Sequence, residues 1–427
     1  MKQLLKILIF IFLLPANPGI AMGQSDTAIT LNLSDCIKAA LDFSPNLKEG
    51  LVQTEIKKTA ISRAKSYQYP SVSANAVYNL TNQNRSGNNY NSASYGINAY
   101  QTLWQYGRNK ALVEQSKFLY QAEWSNYHAL QQDVVVNIKQ FYFNYLHAVK
   151  LLGIAKSNRD EADLFLNAAK EKKAIGIGKN SDILKAESDV ADTKFIYSLY
   201  ENDILRMRNE LMRLTGLIIT ENTILQDELF TPDPTWSNIS PDTLFSIAKN
   251  NYPELRAIDG LIKSQEAYRK FVKADLFPKL SAGAGYNGYY NPVMKNMDFW
   301  NAGFTLSWDI FNGYQKKYQV KTEKLQSEAL SWQKEYLLLS VQKEIRNQYL
   351  TFNENYYQIG IIETLLKSTT ENLNTVLEEY RQGVSSMLEL ANARIENFNA
   401  KEKYCNAWFT YQISKVQLER MLGVTNK

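Results

Sequence analysis

The sequence predicts a mainly α chain with a membrane β-barrel contribution, built as two tandem structural repeats of long coiled-coil helices plus two β-strands each. Three observations predict it. One internal offset runs through most of the chain, proline is missing from two very long tracts, and charge-poor segments with a period of two sit at the start of each tract. With 45% apolar and 21% charged residues, the 427-residue chain has material for a large core and does not read as disordered.

The first element is a secretory leader, residues 1–23. Lys2 and Lys6 precede the apolar run 7–14, and Ala21 and Gly23 supply small residues for cleavage before Gln24. No cysteine follows it to carry a lipid anchor. No later stretch approaches the roughly 18 apolar residues of a spanning helix. A mature chain of this kind could enter a bilayer only as a closed barrel.

The duplication follows. Ser44, Pro45, Asn46, Leu47 and Lys48 return 208 positions on as Tyr252, Pro253, Glu254, Leu255 and Arg256, and the stretch 70–78 matches 278–286 at the same offset. After the loss of one residue, Leu103 and Trp104 match Ile310 and Phe311 at offset 207. Gly153, Gly176, Ala186 and Gly216 match Gly360, Gly383, Ala393 and Gly423 in the same way. Generic helical similarity cannot place glycines and prolines so consistently. The repeats are read as 24–228 and 229–427.

Each repeat reads as a short helix (about 34–43; 241–250), a medium helix (46–67; 254–275), two strands, a very long helix and a further helix. Pro45, Pro70, Pro253, Pro278 and Pro292 sit early in the repeats, and Pro232, Pro234 and Pro241 mark the linker. A proline in a helix interior costs about 3 kcal/mol, so the proline-free tracts can hold very long helices. Leu338, Ile345, Phe352, Ile359, Leu366, Leu373 and Tyr380 lie seven apart, the seam of a supercoiled helix pair. Ile138, Tyr145, Leu152 and Leu166 are their first-repeat counterparts, interrupted by Arg159. The mid-helix glycines Gly153 and Gly360 are expected where a neighbouring helix comes close.

Strands are expected at about 70–80, 93–104, 279–289 and 299–311. Val72, Ala74, Ala76, Tyr78 and Leu80 alternate with polar residues, as do Trp300, Ala302, Phe304, Leu306, Trp308 and Ile310. Charge is nearly absent there: Arg85 in one segment, and Lys295, Asp298 and Asp309 in the other. Apolar-out, polar-in strands of about ten residues mark transmembrane barrels. The Asn/Ser/Gly-rich stretch 81–94 reads as an exposed loop, and Tyr289, Tyr290 and Trp300 suit an interfacial aromatic belt. Four strands cannot close a pore, since small barrels have about eight, so the chain must pool strands with other copies.

Composition excludes most chemistry. Two histidines (His128, His147) and two cysteines (Cys36, Cys405) leave no basis for a metal site, a cofactor or an enzyme's nucleophile–base pair. A formal charge of +5 is too balanced for nucleic acid. Gly176, Gly178 and Lys179 suggest a phosphate loop, but Lys173 and Asn180 stand where its first glycine and its hydroxyl belong. The spacing of Cys36 and Cys405 gives no support for a disulfide.

With these features the chain resembles the TolC-like outer-membrane efflux proteins. The resemblance rests on the duplicated plan, on Gly176 followed by Asp182, Ile183, Leu184, Ala186 and Glu187, and on Gly383 followed by Glu389, Leu390, Ala391, Ala393 and Arg394. It rests too on the strand exits 103–108 and 310–313. It implies a homotrimer in outer-membrane lipid, with a twelve-stranded barrel continued by an α-helical periplasmic tunnel. A periplasmic adaptor (membrane fusion) protein and an inner-membrane transporter are the implied partners. The function implied is a passive gated exit duct of a tripartite efflux or type I secretion system.

The resemblance also implies sites. Gly176 and Gly383 fall at the helix turns, Ser181, Asp182 and Tyr380 at the periplasmic gate, and Glu389 and Asn392 at a pore-mouth ring. Ser385 stands where the family's gate arginine would. The residues alone leave Asp182 open as a helix N-terminal acid and Glu389 as part of a solvated face. The competing function is a non-transporting exported scaffold or adhesin anchored at the outer membrane; such a scaffold has no use for alternating, charge-poor strands in both repeats.

Overall fold

The computed structural model describes residues 30–82, 89–226, 236–291 and 294–424. The leader, Arg85 and the prolines Pro232, Pro234 and Pro292 lie outside them.

β1 (Thr30–Leu31) leads into α1 (Leu33–Phe43), capped by Asn32, whose side chain accepts the Asp35 amide. Ser44 ends α1 and caps α2 (Pro45–Ser66), with Pro45 in the first turn where a missing N–H costs nothing. β2 (Ser71–Asn82) and β3 (Asn89–Trp104) follow. Tyr106 and Gly107 then take left-handed backbone angles and turn the chain into α3 (Arg108–Ala174). α4 (Asn180–Thr215) returns alongside it and ends at Gly216. β4 (Ile224–Leu225) pairs in parallel with β1, and the Tyr142 hydroxyl donates to the Gln226 carbonyl at 2.7 Å to hold that junction.

The same order then recurs. α5 (Pro241–Asn251) and α6 (Pro253–Lys273) precede β5 (Lys279–Asn291) and β6 (Met294–Ser307). Gly313 and Tyr314 make the left-handed corner into α7 (Gln315–Gln382), and α8 (Met387–Leu422) closes the chain. The 68 residues of α7 span about 100 Å.

The four long strands form one antiparallel sheet in the order β2-β3-β5-β6. The helices follow the same order: α2 packs on α3, α3 on α6, and α6 on α7, while α4 and α8 lie along α3 and α7. The seven-residue seam of α7 is real: Ile345, Phe352, Ile359, Leu373 and Tyr380 are buried, with Leu338 and Leu366 half-buried. Arg159, the interruption in α3, lays its guanidinium over the Tyr197 ring at 4.6 Å. Three core clusters hold the helices together, the first two side by side on the same stretch of α8. One surrounds Tyr142, one surrounds Phe352 and Tyr411, and one surrounds Phe165, Tyr380 and Leu390 near the hairpin turns. Cys36 and Cys405 share the first cluster as free thiols. Burial pushes their pKa values up to about 11 and about 12, so they pack as small apolar groups. His147 bonds Asn406 at 2.6 Å and lies against Phe409, while His128 sits beside Trp124.

Four details correct the sequence reading. Gly153 and Gly360 lie on exposed helix faces, and a Cβ on either would meet nothing within 4 Å, so among the described residues no helix approaches them closely. The last strand stops at Ser307 rather than 311, because β5 begins at Lys279 and offers no partner beyond that pair. Of the stretch 81–94, residues 89–94 belong to β3 and 81–82 to β2, paired as far as Asn82 with Asn89; only 83–88 lie outside the description. Tyr289 and Tyr290 point to opposite faces of β5, as neighbours in a strand must, so Tyr290 alone shares the face of Trp300.

That face carries Val72, Tyr78, Ile97, Tyr286, Trp300 and Phe304, and it is open, with Trp300 and Phe304 each 77% exposed. The opposite face carries Ser73, Asn75, Asn98, Asn287, Asn301 and Thr305. Among the described residues no helix is long and apolar enough to cross a membrane.

Because Gly153 and Gly360 occupy open helix faces, Gly153→Ala and Gly360→Ala should each stabilise the helical region by about 1 kcal/mol. Denaturant unfolding followed by helical circular dichroism checks this. A loss of stability instead would mean that another molecule packs against those faces.

Candidate functional site at the helical hairpin turns

Two hairpin turns, α3 to α4 and α7 to α8, use the same local solution. Gly176 and Gly383 take φ of +84° and +80°, a region that L side chains rarely adopt. The amides that follow fold back on the helix ends: Ile177 and Gly178 donate to the Lys172 carbonyl, and Val384 and Ser385 to that of Glu379. Both helices thus end in the glycine-capped manner that satisfies their last carbonyls.

The next helices start differently. α8 has a full capping box: Ser386 Oγ accepts the Glu389 amide, and Glu389 Oε2 accepts the Ser386 amide at 2.6 Å. These donors hold the Glu389 carboxyl below its usual range. α4 has no side-chain cap at Lys179, and Asp182 supplies only a charge in its first turn. Ser385 turns inward to its own hairpin, donating to Glu379 Oε2 at 2.6 Å. Ser181, Glu389 and Asn392 are exposed, and Asp182 is half-buried.

Tyr380 is the buried member of the set, 5% exposed within the cluster of Phe165, Leu373 and Leu390. Burial raises its phenol pKa, and the nearby Asp182 charge adds to the shift. Among the described residues neither Ser181 nor Asp182 hydrogen-bonds to the second hairpin. The physical ties between the hairpins are other residues. Lys172 of α3 places its ammonium 3.6 Å from the centre of the Tyr380 ring and donates to the Tyr380 carbonyl. Arg394 of α8, 3% exposed, donates to Asn158 of α3 and lies 3.7 Å from Asp189 of α4. Burial lowers its pKa against the opposing pull of Asp189.

Sequence reasoning named Arg394 only as a motif position and missed Lys172. A lysine in the last turn of a helix is ordinary, and nothing in its spacing points to a tyrosine 208 residues away. Among the described residues no group of side chains has the make-up of a metal site.

A groove of about 770 Å³ opens between α3 and α7 beside this tie, lined by Leu164, Lys172, Ile175, Leu377, Tyr380 and Arg381. The exposed Ile177 and Val384 mark the outermost turns. The arrangement is a pair of like-built turns joined by a few polar ties.

The model of the family described as outer membrane efflux protein matches residues 36–217 and 244–424. The outer membrane protein TolC of Vibrio cholerae is 23% identical over 427 residues, covering 97% of this chain and 96% of that protein. TolC of Escherichia coli is 23% identical, with 97% and 87% covered. A crystal structure of CusC superposes with a TM-score of 0.82 at 17% identity, covering 92% of each chain; at that identity the likeness speaks for the fold alone. With two matched segments that between them take in most of its length, one in each half, the chain belongs to the outer membrane efflux protein family.

Proposed function

We propose that three copies of the chain close twelve strands into one outer-membrane barrel, continued by their helices as a tunnel through the periplasm. The assembly is a passive, gated exit duct. An inner-membrane transporter and a periplasmic adaptor deliver the cargo and supply the energy. The two repeats, 24–228 and 229–427, each contribute two strands and one long hairpin.

One observation carries this reading: sheet and helix layers have the same lateral order and both end in open edges. β2 and β6 each have one unpaired side. α7 exposes Tyr318, Leu325, Trp332 and Leu339 at seven-residue spacing, and α2 exposes Leu51, Val52 and Ile56. Lipid does not tolerate an open sheet edge. Two different edges on one molecule, repeated in two layers, suit head-to-tail closure into a ring. The names of the relatives agree: TolC of Vibrio cholerae and of Escherichia coli are outer membrane proteins. The chain should run in detergent as a trimer that heat dissociates. A stable monomer by light scattering would overturn the barrel.

The hairpin turns are the gate on this reading, with Ser181, Asp182, Tyr380 and Ser385 around it and Glu389 and Asn392 at the mouth. Since Ser385 is spent on Glu379, the closing ties of this chain are Lys172 on Tyr380 and Arg394 on Asn158. Lys172→Met combined with Tyr380→Ala should raise single-channel conductance in planar bilayers, and adding Asp182→Ala should raise it further. If conductance stays at the wild-type level in an intact trimer, the ties are structural only and Asp182 is a helix N-terminal acid.

Three copies of Glu389 at one opening would favour cations. Its carboxyl is held below the usual range by the Ser386 donors, so it keeps its charge through the ordinary carboxylate range and loses it only at a pH below that range. Reversal potentials across a salt gradient should show a cation preference that persists to that pH, disappears in Glu389→Gln, and gains divalent block in Asn392→Asp. A reversal potential unmoved by Glu389→Gln would remove Glu389 and Asn392 from the pore mouth.

A further inference from the structure

On the polar face of the sheet four asparagines, one from each strand, are joined in a row. Asn98 Nδ2 donates to Asn75 Oδ1 at 3.4 Å and to Asn287 Oδ1 at 3.3 Å. Asn287 Nδ2 donates to Asn98 Oδ1 at 3.4 Å and to Asn301 Oδ1 at 3.3 Å. The row is centred on the β3–β5 pair, the seam where the two halves of the chain meet. There Gly96-Ile97-Asn98 runs antiparallel to Gly285-Tyr286-Asn287, so each asparagine stands opposite a glycine.

The glycines are notches for the asparagines. A Cβ at position 96 would lie 2.2 Å from Asn287 Oδ1, and one at 285 would lie 2.2 Å from Asn98 Oδ1. Either could be accommodated only by swinging an amide out of the row. The arrangement was not inherited from the duplication. At the repeat offset, Gly285 and Asn287 correspond to Val77 and Asn79, and Gly96 and Asn98 to Gly303 and Thr305.

The in/out pattern of the side chains does not distinguish the native register from one two residues away. On the apolar face Tyr95, seated over Gly288 and donating to Asp298, also marks it, as do the corner contacts of Arg108 with Asp275 and of Tyr106 with Phe277. A two-residue slip returns every side chain to its own face. The apolar face would still be apolar, and the polar face is otherwise mostly serine, threonine and glycine, as at Ser73, Ser94, Ser281, Gly283 and Gly303. The asparagines do distinguish them. Slipping one way sets Asn98 against Asn287, two knobs facing; slipping the other way sets Gly96 against Gly285, two notches facing.

We propose that the paired Gly-x-Asn segments are a register lock at the seam between the two halves, which Asn75 and Asn301 extend to the edge strands. The four asparagines are positioning residues. The lock acts within one chain, and only the assignment of this face to the barrel lumen rests on the duct reading.

The test reads register by disulfide trapping in the full-length chain reconstituted in lipid, in a Cys36→Ala, Cys405→Ala background. Ala99→Cys with Ala284→Cys reports the native pairing. Ala99→Cys with Ala282→Cys, or with Tyr286→Cys, reports the two slipped pairings. With the lock intact the native pair should dominate by roughly tenfold or more. Gly96→Ala with Gly285→Ala should raise the yield of the slipped pairs several-fold relative to the native pair. Because those variants add bulk and can fail to insert, Asn98→Ala with Asn287→Ala is measured beside them; it removes the knobs without adding volume and should lose the same discrimination. An unchanged trapping pattern in the asparagine variant would overturn the lock. Trimer formation is scored separately. A native pairing that depends on the asparagines in a chain that never trimerises would leave the lock standing and the duct refuted.

Discussion

A backbone N–H or C=O facing hydrocarbon has no water to bond, and that one constraint organises the protein in its proposed setting. The sheet satisfies its interior ladders but presents a bare edge at β2 and another at β6. Neither edge is short, and β2 carries neither proline nor charge among its residues, so the usual ways of blunting an edge are absent there. On the proposed reading each edge is one side of a contact with another copy of the chain. The helices repeat the arrangement one layer down, with α2 and α7 at the same two sides.

Continuity between the layers depends on two short corners. At Tyr106-Gly107 and at Gly313-Tyr314 the chain turns from a strand into a helix through two successive left-handed residues. The order of the strands is thereby transmitted to the order of the helices without crossing connections. Arg108, the first residue of α3, ties its corner to the other half by pairing with Asp275 and stacking 3.8 Å from the Phe271 ring. Tyr106 stacks on Phe277 at 3.6 Å across the same junction. Strand register and helix packing are thus coupled at this end of the helices, where a shift in β5 would disturb both contacts.

The sequence reading succeeded where the signal is periodic or punctuated. Seven-residue spacing located the α7 seam from Leu338 to Tyr380, period-two alternation located the strands, and glycines and prolines located the turns, because each of these reports a backbone requirement. It failed where the requirement lies in a partner distant along the chain. The end of β6 at Ser307 is set by the start of β5, not by the residues beyond it, which go on alternating to Ile310. Gly153 and Gly360 read as contact points because glycine in a helix needs a reason, and the described chain supplies no contact. Lys172 and the asparagine row were invisible for the opposite reason: lysine near a helix end and asparagine in a polar strand face need no reason at all. Glu389 was legible as a carboxylate near a helix start. Its capping box with Ser386 could have been found from the Ser-x-x-Glu spacing.

The duplication explains the shape of the hairpin turns, and divergence between equivalent positions explains how they are joined. Lys172 and Glu379 occupy matching places one turn before the two glycines. Glu379 stays within its own turn and accepts from Ser385, while Lys172 crosses to the other hairpin and covers Tyr380. Glu187 and Arg394 also match. Glu187 is a half-exposed acid 3.9 Å from Lys170 of its own hairpin, whereas Arg394 is buried against Asn158 and Asp189 of the other. Removing one partner of a buried charged contact leaves the other uncompensated, which costs far more than losing a solvated pair such as Lys170 with Glu187. A symmetric pair of hairpins would hold each turn equally to itself. Opposite charges at equivalent positions let one repeat grip the other, so the joining of the two turns depends on how the two halves differ.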